Sequence, residues 1–222
     1  MDFQSLISKF LSTPNVNIFD ECVKEIELEF GKPVTNLCDL KKREDKKKKG
    51  DVWEKFCKEW LIASDKYKTV WLLQEWLSYC QSKNQSTLGL KTKQDNGIDL
   101  IGELNSGKLV AIQCKYRKNM KKVTWNTIST FLGLCERSGP WGKYIVMTNG
   151  KGVTNKIGRS PKDQSICLGT FRGTKRTQWL KMAGIFHENK LEEVQPKKKK
   201  MEKLPNLEEL REIRLKKFIK QS

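Results

Sequence analysis

Apolar and polar positions alternate along this chain with periods that divide it into elements. Near the N-terminus two short helices are expected, Phe3 to Leu11 and Asn17 to Phe30, the second ending before Gly31 and Pro33. In DVWEKFCKEWLIAS, Val52, Phe56, Trp60 and Leu61 recur at helical spacing, with Asp51 as the expected N-cap. KYKTVWLLQEWL reads as a strand over Val70 to Leu73 leading into a short helix. A turn at Asp95-Asn96-Gly97 then introduces a strand carrying Ile98, Leu100 and Ile101. Asn105-Ser106-Gly107 is a hairpin turn, and KLVAIQCKYR after it is the clearest strand pattern in the chain. VTWNTISTFLGLCERSG predicts a helix capped by Thr124, with Ile128, Phe131, Leu132 and Cys135 facing inward. KYIVMTNG is a continuous apolar run of buried-strand length. Residues 151–195 show no clear period. The tail from Pro196 holds KKKKMEK and then an amphipathic helical pattern with Leu207, Leu210 and Phe218 on one side. No internal repeat is present.

Composition narrows the class. A length of 222 residues suits one α/β domain with small helical additions, and 37% hydrophobic content is enough for a core. The excess of 44 Lys and Arg over 26 Asp and Glu gives a net charge of +18, which implies a polyanionic partner. Nucleic acid fits better than a membrane, because no stretch reaches the roughly 18 apolar residues of a spanning helix. MDFQSLISKFLS lacks the layout of a signal peptide, so an intracellular protein, cytoplasmic or nuclear, is expected. The run KKREDKKKKG at 41–50 reads as a solvated linker, also compatible with nuclear targeting. Seven Cys without a CxxC pair, and His187 as the only His, argue against a zinc site and against Ser-His or Cys-His catalysis. The thiols are expected to be reduced and mostly buried. Chemistry is left to carboxylates, amides, lysines and a metal ion.

One unit carries such chemistry. Asp99 lies on or just after the first strand of the hairpin, and Gln113 and Lys115 sit two apart on the second, hence on one face. Beside Val110 and Ile112, two polar residues on one face of a central strand are costly unless used. Pairing through the 105–107 turn brings Asp99 within reach of both. Asp99, the Gln113 side-chain carbonyl and the backbone carbonyl of Cys114 are the oxygen donors expected to hold Mg²⁺ or Mn²⁺. Lys115 is the cation expected to orient water and offset charge developing on a phosphate.

GIDL followed by AIQCKYR resembles the PD-(D/E)xK nuclease superfamily, and within it the Mrr-like restriction endonucleases with a Q-x-K element. The similarity extends over KGDVWEKFCKEWL, YKTVWLLQEWL, VTWNTISTFLG and YIVMTNGKGVTNKI, from about Gly50 to Ile157. It implies a restriction-endonuclease-like α/β fold, a central mixed sheet flanked by helices. It also implies metal-dependent DNA cleavage, with Glu54, Asp99, Gln113 and Lys115 as the active-site set; Glu59 or Glu75 could stand in for Glu54. Gln113 is neutral where many relatives carry Glu, which keeps an alternative open: a nuclease fold retained as a catalytically weak or inactive DNA-binding module.

The expected organisation is a helical N-terminal extension and basic linker over 1–49, the nuclease domain over 50–195, and a basic helical tail over 196–222. Arg117, Lys118, Lys121, Lys122, Trp125, Thr148 and Asn149 are the expected DNA contacts, with Arg159, Arg172, Lys175 and Arg176 extending the patch. The partner expected is DNA, and a homodimer is compatible with the sequence.

Overall fold

A computed structural model describes residues 1–30, 39–91, 97–154 and 160–185, without the side chains of 39–43. Asp95 and Asn96 of the expected turn, Arg159 and the whole tail lie outside these residues. The N-terminal helices are α1 (Phe3–Leu11) and α2 (Ile18–Phe30). The Asp2 carboxylate caps α1 by accepting from Gln4 N at 3.0 Å. Phe3, Ile7, Phe10 and Leu11 form the buried stripe of α1.

Helix α3 runs from Asp39 to Ile62, and this corrects the expected linker. Lys, Arg and Glu are good helix formers, so a charged run without Pro continues a helix once one end is anchored. Here the anchor is Trp53, Phe56, Cys57, Trp60 and Leu61, all buried. Glu44 and Lys48, four apart, bond at 2.9 Å, and Lys49 reaches Glu27 of α2 at 2.8 Å. Asp51 lies inside this helix and caps nothing.

Strand β1 (Tyr67–Leu72) passes directly into α4 (Leu73–Ser82), as the pattern predicts. Leu72 N donates to the Glu75 carboxylate at 2.8 Å at the junction. Strand β2 (Leu100–Leu104) turns through 105–107 into β3 (Leu109–Lys115), with Leu104 N bonded to Lys108 O. Then come α5 (Trp125–Arg137), β4 (Lys143–Thr148), β5 (Asp163–Ile166), α6 (Leu168–Arg172) and α7 (Arg176–Met182). The last three were not predicted.

The sheet is mixed, in the order β1-β2-β3-β4-β5. The β1/β2 and β2/β3 pairs are antiparallel, whereas β3/β4 and β4/β5 are parallel. Alternate residues of β3 feed two cores. Val110, Ile112 and Cys114 pack with α1, α2, α3, α6 and α7; Ala111 packs with α4 and α5 through Trp76, Ile128 and Phe131. This is the mixed, helix-flanked α/β architecture expected. The N-terminal helices are part of its core: Phe19 lies between Trp53, Phe56 and Phe171, stacked on Phe171 at 4.8 Å. No helix among the described residues is long and apolar enough to cross a membrane.

Candidate active site

The hairpin brings three of the expected side chains together. Leu100 pairs with Ile112, so one step further Asp99 stands across from Gln113. Asp99 is held at both backbone ends: its N–H donates to Ile112 O at 2.9 Å, and its carbonyl accepts from Leu73 N at 3.0 Å. Its carboxylate Oδ2 accepts from Cys114 N at 2.7 Å, which ties the acid to β3 between Gln113 and Lys115. Those two project from the same face of β3, while Cys114 points into the opposite core.

Gln113 is only 2% exposed, and its Oε1 is sealed from solvent with no hydrogen-bond donor. A buried carbonyl oxygen without a donor is uncommon and costly, on the order of 1–3 kcal/mol. Lys115, half-buried, ends β3 opposite Thr148.

Glu54 approaches from α3. Cys57, one turn after Glu54, and Cys114 are buried in the same core cluster, which docks this turn of α3 on β3. Burial pushes the Glu54 carboxyl up to about 8, reinforced by the charges of Asp99 and Asp51 and opposed by Lys115. Burial also raises Asp99, against the pull of Lys115 and of the Cys114 N–H. Of the two alternative acids, Glu75 holds Lys58 at 2.5 Å and the start of α4, whereas the Glu59 carboxyl is raised by burial and by Asp2 and has one oxygen sealed without a hydrogen-bond partner.

Among the described residues no three His, Cys, Asp or Glu side chains converge as a metal centre. A divalent ion here would rest on a mixed oxygen set, and the donor-less Gln113 Oε1 beside a raised carboxylate fits that requirement. Asp99, Gln113 and the Cys114 carbonyl would be the groups to supply it.

The expected DNA contacts divide. Lys118, Lys121 and Lys122 are exposed on the turn leaving β3, and Trp125, 37% exposed, opens α5. Thr148 and Asn149 are not surface contacts: they are 0% and 1% exposed. Thr148 Oγ1 accepts from Gly150 N at 3.0 Å. The Asn149 amide clamps the backbone of Arg117, accepting from its N–H at 2.6 Å and donating to its carbonyl at 3.0 Å. It thus continues the β3–β4 ladder with a side chain, one step past the Lys115–Thr148 pair. Arg117 itself bonds Thr127 Oγ1 at 2.6 Å. Arg172 and Arg176 serve the N-terminal helices, through Asp20 and the Leu11 carbonyl. Sequence reading missed both the Asn149 clamp and the packing of Cys57 with Cys114 in one core cluster. Only the helical spacing of Cys57 on the buried face of α3 hinted at the second.

A mixed sheet with an acid, an amide and a lysine at the point where β2 and β3 part defines a restriction-endonuclease-like α/β domain. The family model of a restriction endonuclease, Mrr_cat_2, matches residues 61–175, and the chain belongs to that family. Asp99, Gln113 and Lys115 lie inside the match, whereas Glu54 and α1 to α3 fall almost wholly before it. Among solved structures, the ATP-dependent Type ISP restriction-modification enzyme LlaBIII bound to DNA is similar at 20% identity and a TM-score of 0.41. The likeness covers 60% of this chain and 8% of that one, so the chain spans a small part of that protein's length. No curated protein matches the chain.

Proposed function

We propose that the protein is a metal-dependent DNA endonuclease of Mrr-like type that hydrolyses phosphodiester bonds. The observation that carries this reading is the sealed, donor-less Gln113 Oε1 on the face it shares with Lys115, beside Asp99. Asp99 and Gln113 would hold Mg²⁺ or Mn²⁺ with the Cys114 carbonyl. The ion, when bound, would polarise the phosphate and make a bound water more acidic. Lys115 would meet the phosphate with its ammonium and offset charge that grows on the oxygens. Burial raises the Glu54 carboxyl to about 8, and Glu54 stands behind this group as a neighbour of both Asp99 and Lys115. Exposed Lys118, Lys121 and Lys122 would hold the DNA backbone without reading its sequence.

The test is plasmid nicking by the purified protein with Mg²⁺ and with Mn²⁺, alongside Lys115→Ala. Nicking that disappears in the variant while the fold persists supports the reading; equal nicking by both proteins overturns it. A second reading rests on a separate observation. Gln113 is neutral, so Asp99 is the one acid among the three hairpin groups that can supply negative charge to an ion. A DNA-binding module with little or no cleavage is the corresponding outcome, shown by salt-sensitive binding without nicking at any metal concentration.

A further inference from the structure

A cleft of about 790 Å³ opens beside the exit of β3, between α2 and the turn at 117–120. Its size falls in the range, roughly 300–1,000 Å³, of clefts that enclose small organic solutes. The apolar part of its lining comes from Val16, Val23, Leu28, Tyr116 and Met120. Leu28 is 64% exposed although it stands between Glu27 and Glu29, so an apolar side chain is spent on this mouth. Asn119 and Met120 lie at φ 56° and 51°, in the left-handed region. They are held there by Met120 N on Arg117 O at 3.1 Å and Lys151 N on Met120 O at 2.9 Å.

Charge decides what such a cleft can take. Each carboxylate on its wall is already engaged within the protein: Asp20 with Arg172 at 2.9 Å, Glu21 with Lys24 at 2.5 Å, and Glu27 with Lys49 at 2.8 Å. The interior is therefore close to neutral in a chain of +18, while Lys118, Lys121 and Lys122 stand on the adjoining turn. Phosphates belong on the turn. A planar, uncharged, hydrogen-bonding group suits the interior, where Leu28 and Met120 would meet its faces and the Asn15 and Asn119 amides its edge. Arg117, at the cleft, follows Lys115 by two residues, roughly 7 Å of extended chain.

We propose that this cleft receives an unpaired nucleobase from the DNA strand held at Lys115, an inference that rests on the DNA-cleaving reading above. The protein would accordingly prefer DNA with a nucleotide out of the stack, because the unpairing cost is already met there.

The experiment compares two duplexes in EDTA, one fully paired and one with a single bulged 2-aminopurine, a fluorescent adenine analogue. The expected result is several-fold tighter binding of the bulged duplex and several-fold protection of its fluorophore from acrylamide quenching. Leu28→Ser, an exposed change that adds no charge, should remove both effects while binding of the paired duplex stays as in the parent. Leu28→Met should restore them. Equal affinity for both duplexes, an unprotected fluorophore, or protection that survives Leu28→Ser overturns the cleft assignment and leaves the nuclease reading standing. Absence of binding to either duplex, with no plasmid nicking in Mg²⁺, overturns both.

Discussion

Glu54 keeps a proton that an exposed glutamate would lose, and this has a consequence for stability. Its carboxyl is raised from 4.5 to about 8, by burial first and by Asp99 second. Between those values the folded chain binds more protons than the unfolded one, so folding becomes less favourable as pH rises. In metal-free buffer the parent should lose thermal stability from pH 5 to pH 8, and Glu54→Gln should lose distinctly less. Calorimetry at the two pH values checks this, and parallel curves for the two proteins would sink it. Asn149 acts differently, as a side chain in the place of a strand. Removing it leaves the Arg117 N–H and carbonyl without partners beside a buried position. Asn149→Ala should cost about 2 kcal/mol, the order expected for unsatisfied backbone groups. Denaturant unfolding measures it, and a cost near zero would remove the clamp from the account of how the end of β3 is held.

At the scale of elements, α3 shows how a polar run becomes structure. Its first half is mostly charge and its second half mostly core, and Gly50 lies at the join. A Cβ at Gly50 would have no atom within 4 Å, so Gly50→Ala meets no obstacle. It should stabilise the protein by about 0.5–1 kcal/mol through helix propensity and a less flexible unfolded chain. An upward shift in melting temperature is the expected reading; an unchanged or lower one would mean that α3 is interrupted at this residue. The loops after β3 and β4 form a second unit. Val123 bridges Val153, and an added Cβ at Gly150 would run into the Lys121 carbonyl. The basic turn is thereby presented on a braced support.

For the molecule as a whole, +18 sets the binding behaviour of the proposed function. Binding to DNA should weaken steeply with salt, with a log–log slope of about −0.9 for each phosphate neutralised. Lys121→Ala and Lys122→Ala should each flatten that slope by about one unit and weaken all sequences alike. Binding that ignores salt would remove the phosphate-contact role from this turn.

Much of the candidate site was legible because it is local. Asp99, Gln113 and Lys115 lie within one hairpin, whose turn at 105–107 and two-residue side-chain period determine which groups share a face, whatever surrounds them. The α/β class followed in the same way from runs with a strand or helix period. Other features depended on distant partners. The helix over 41–50 needed the buried anchor that follows it and the reach of Lys49 to Glu27. Helices α6 and α7 are short, and contacts such as Trp60 Nε1 to Thr174 Oγ1 and Gln178 to the Trp60 carbonyl hold their region to α3. Thr148 and Asn149 looked like surface polar residues until a neighbouring loop enclosed them. Local chain geometry sets periodicity and turns, so the sequence by itself determined the ribbon and its three polar groups. Burial is set by segments far apart in the chain, so only the tertiary structure decided which polar side chains face solvent, which brace the fold, and that α3 brings Glu54 to Asp99 and Lys115.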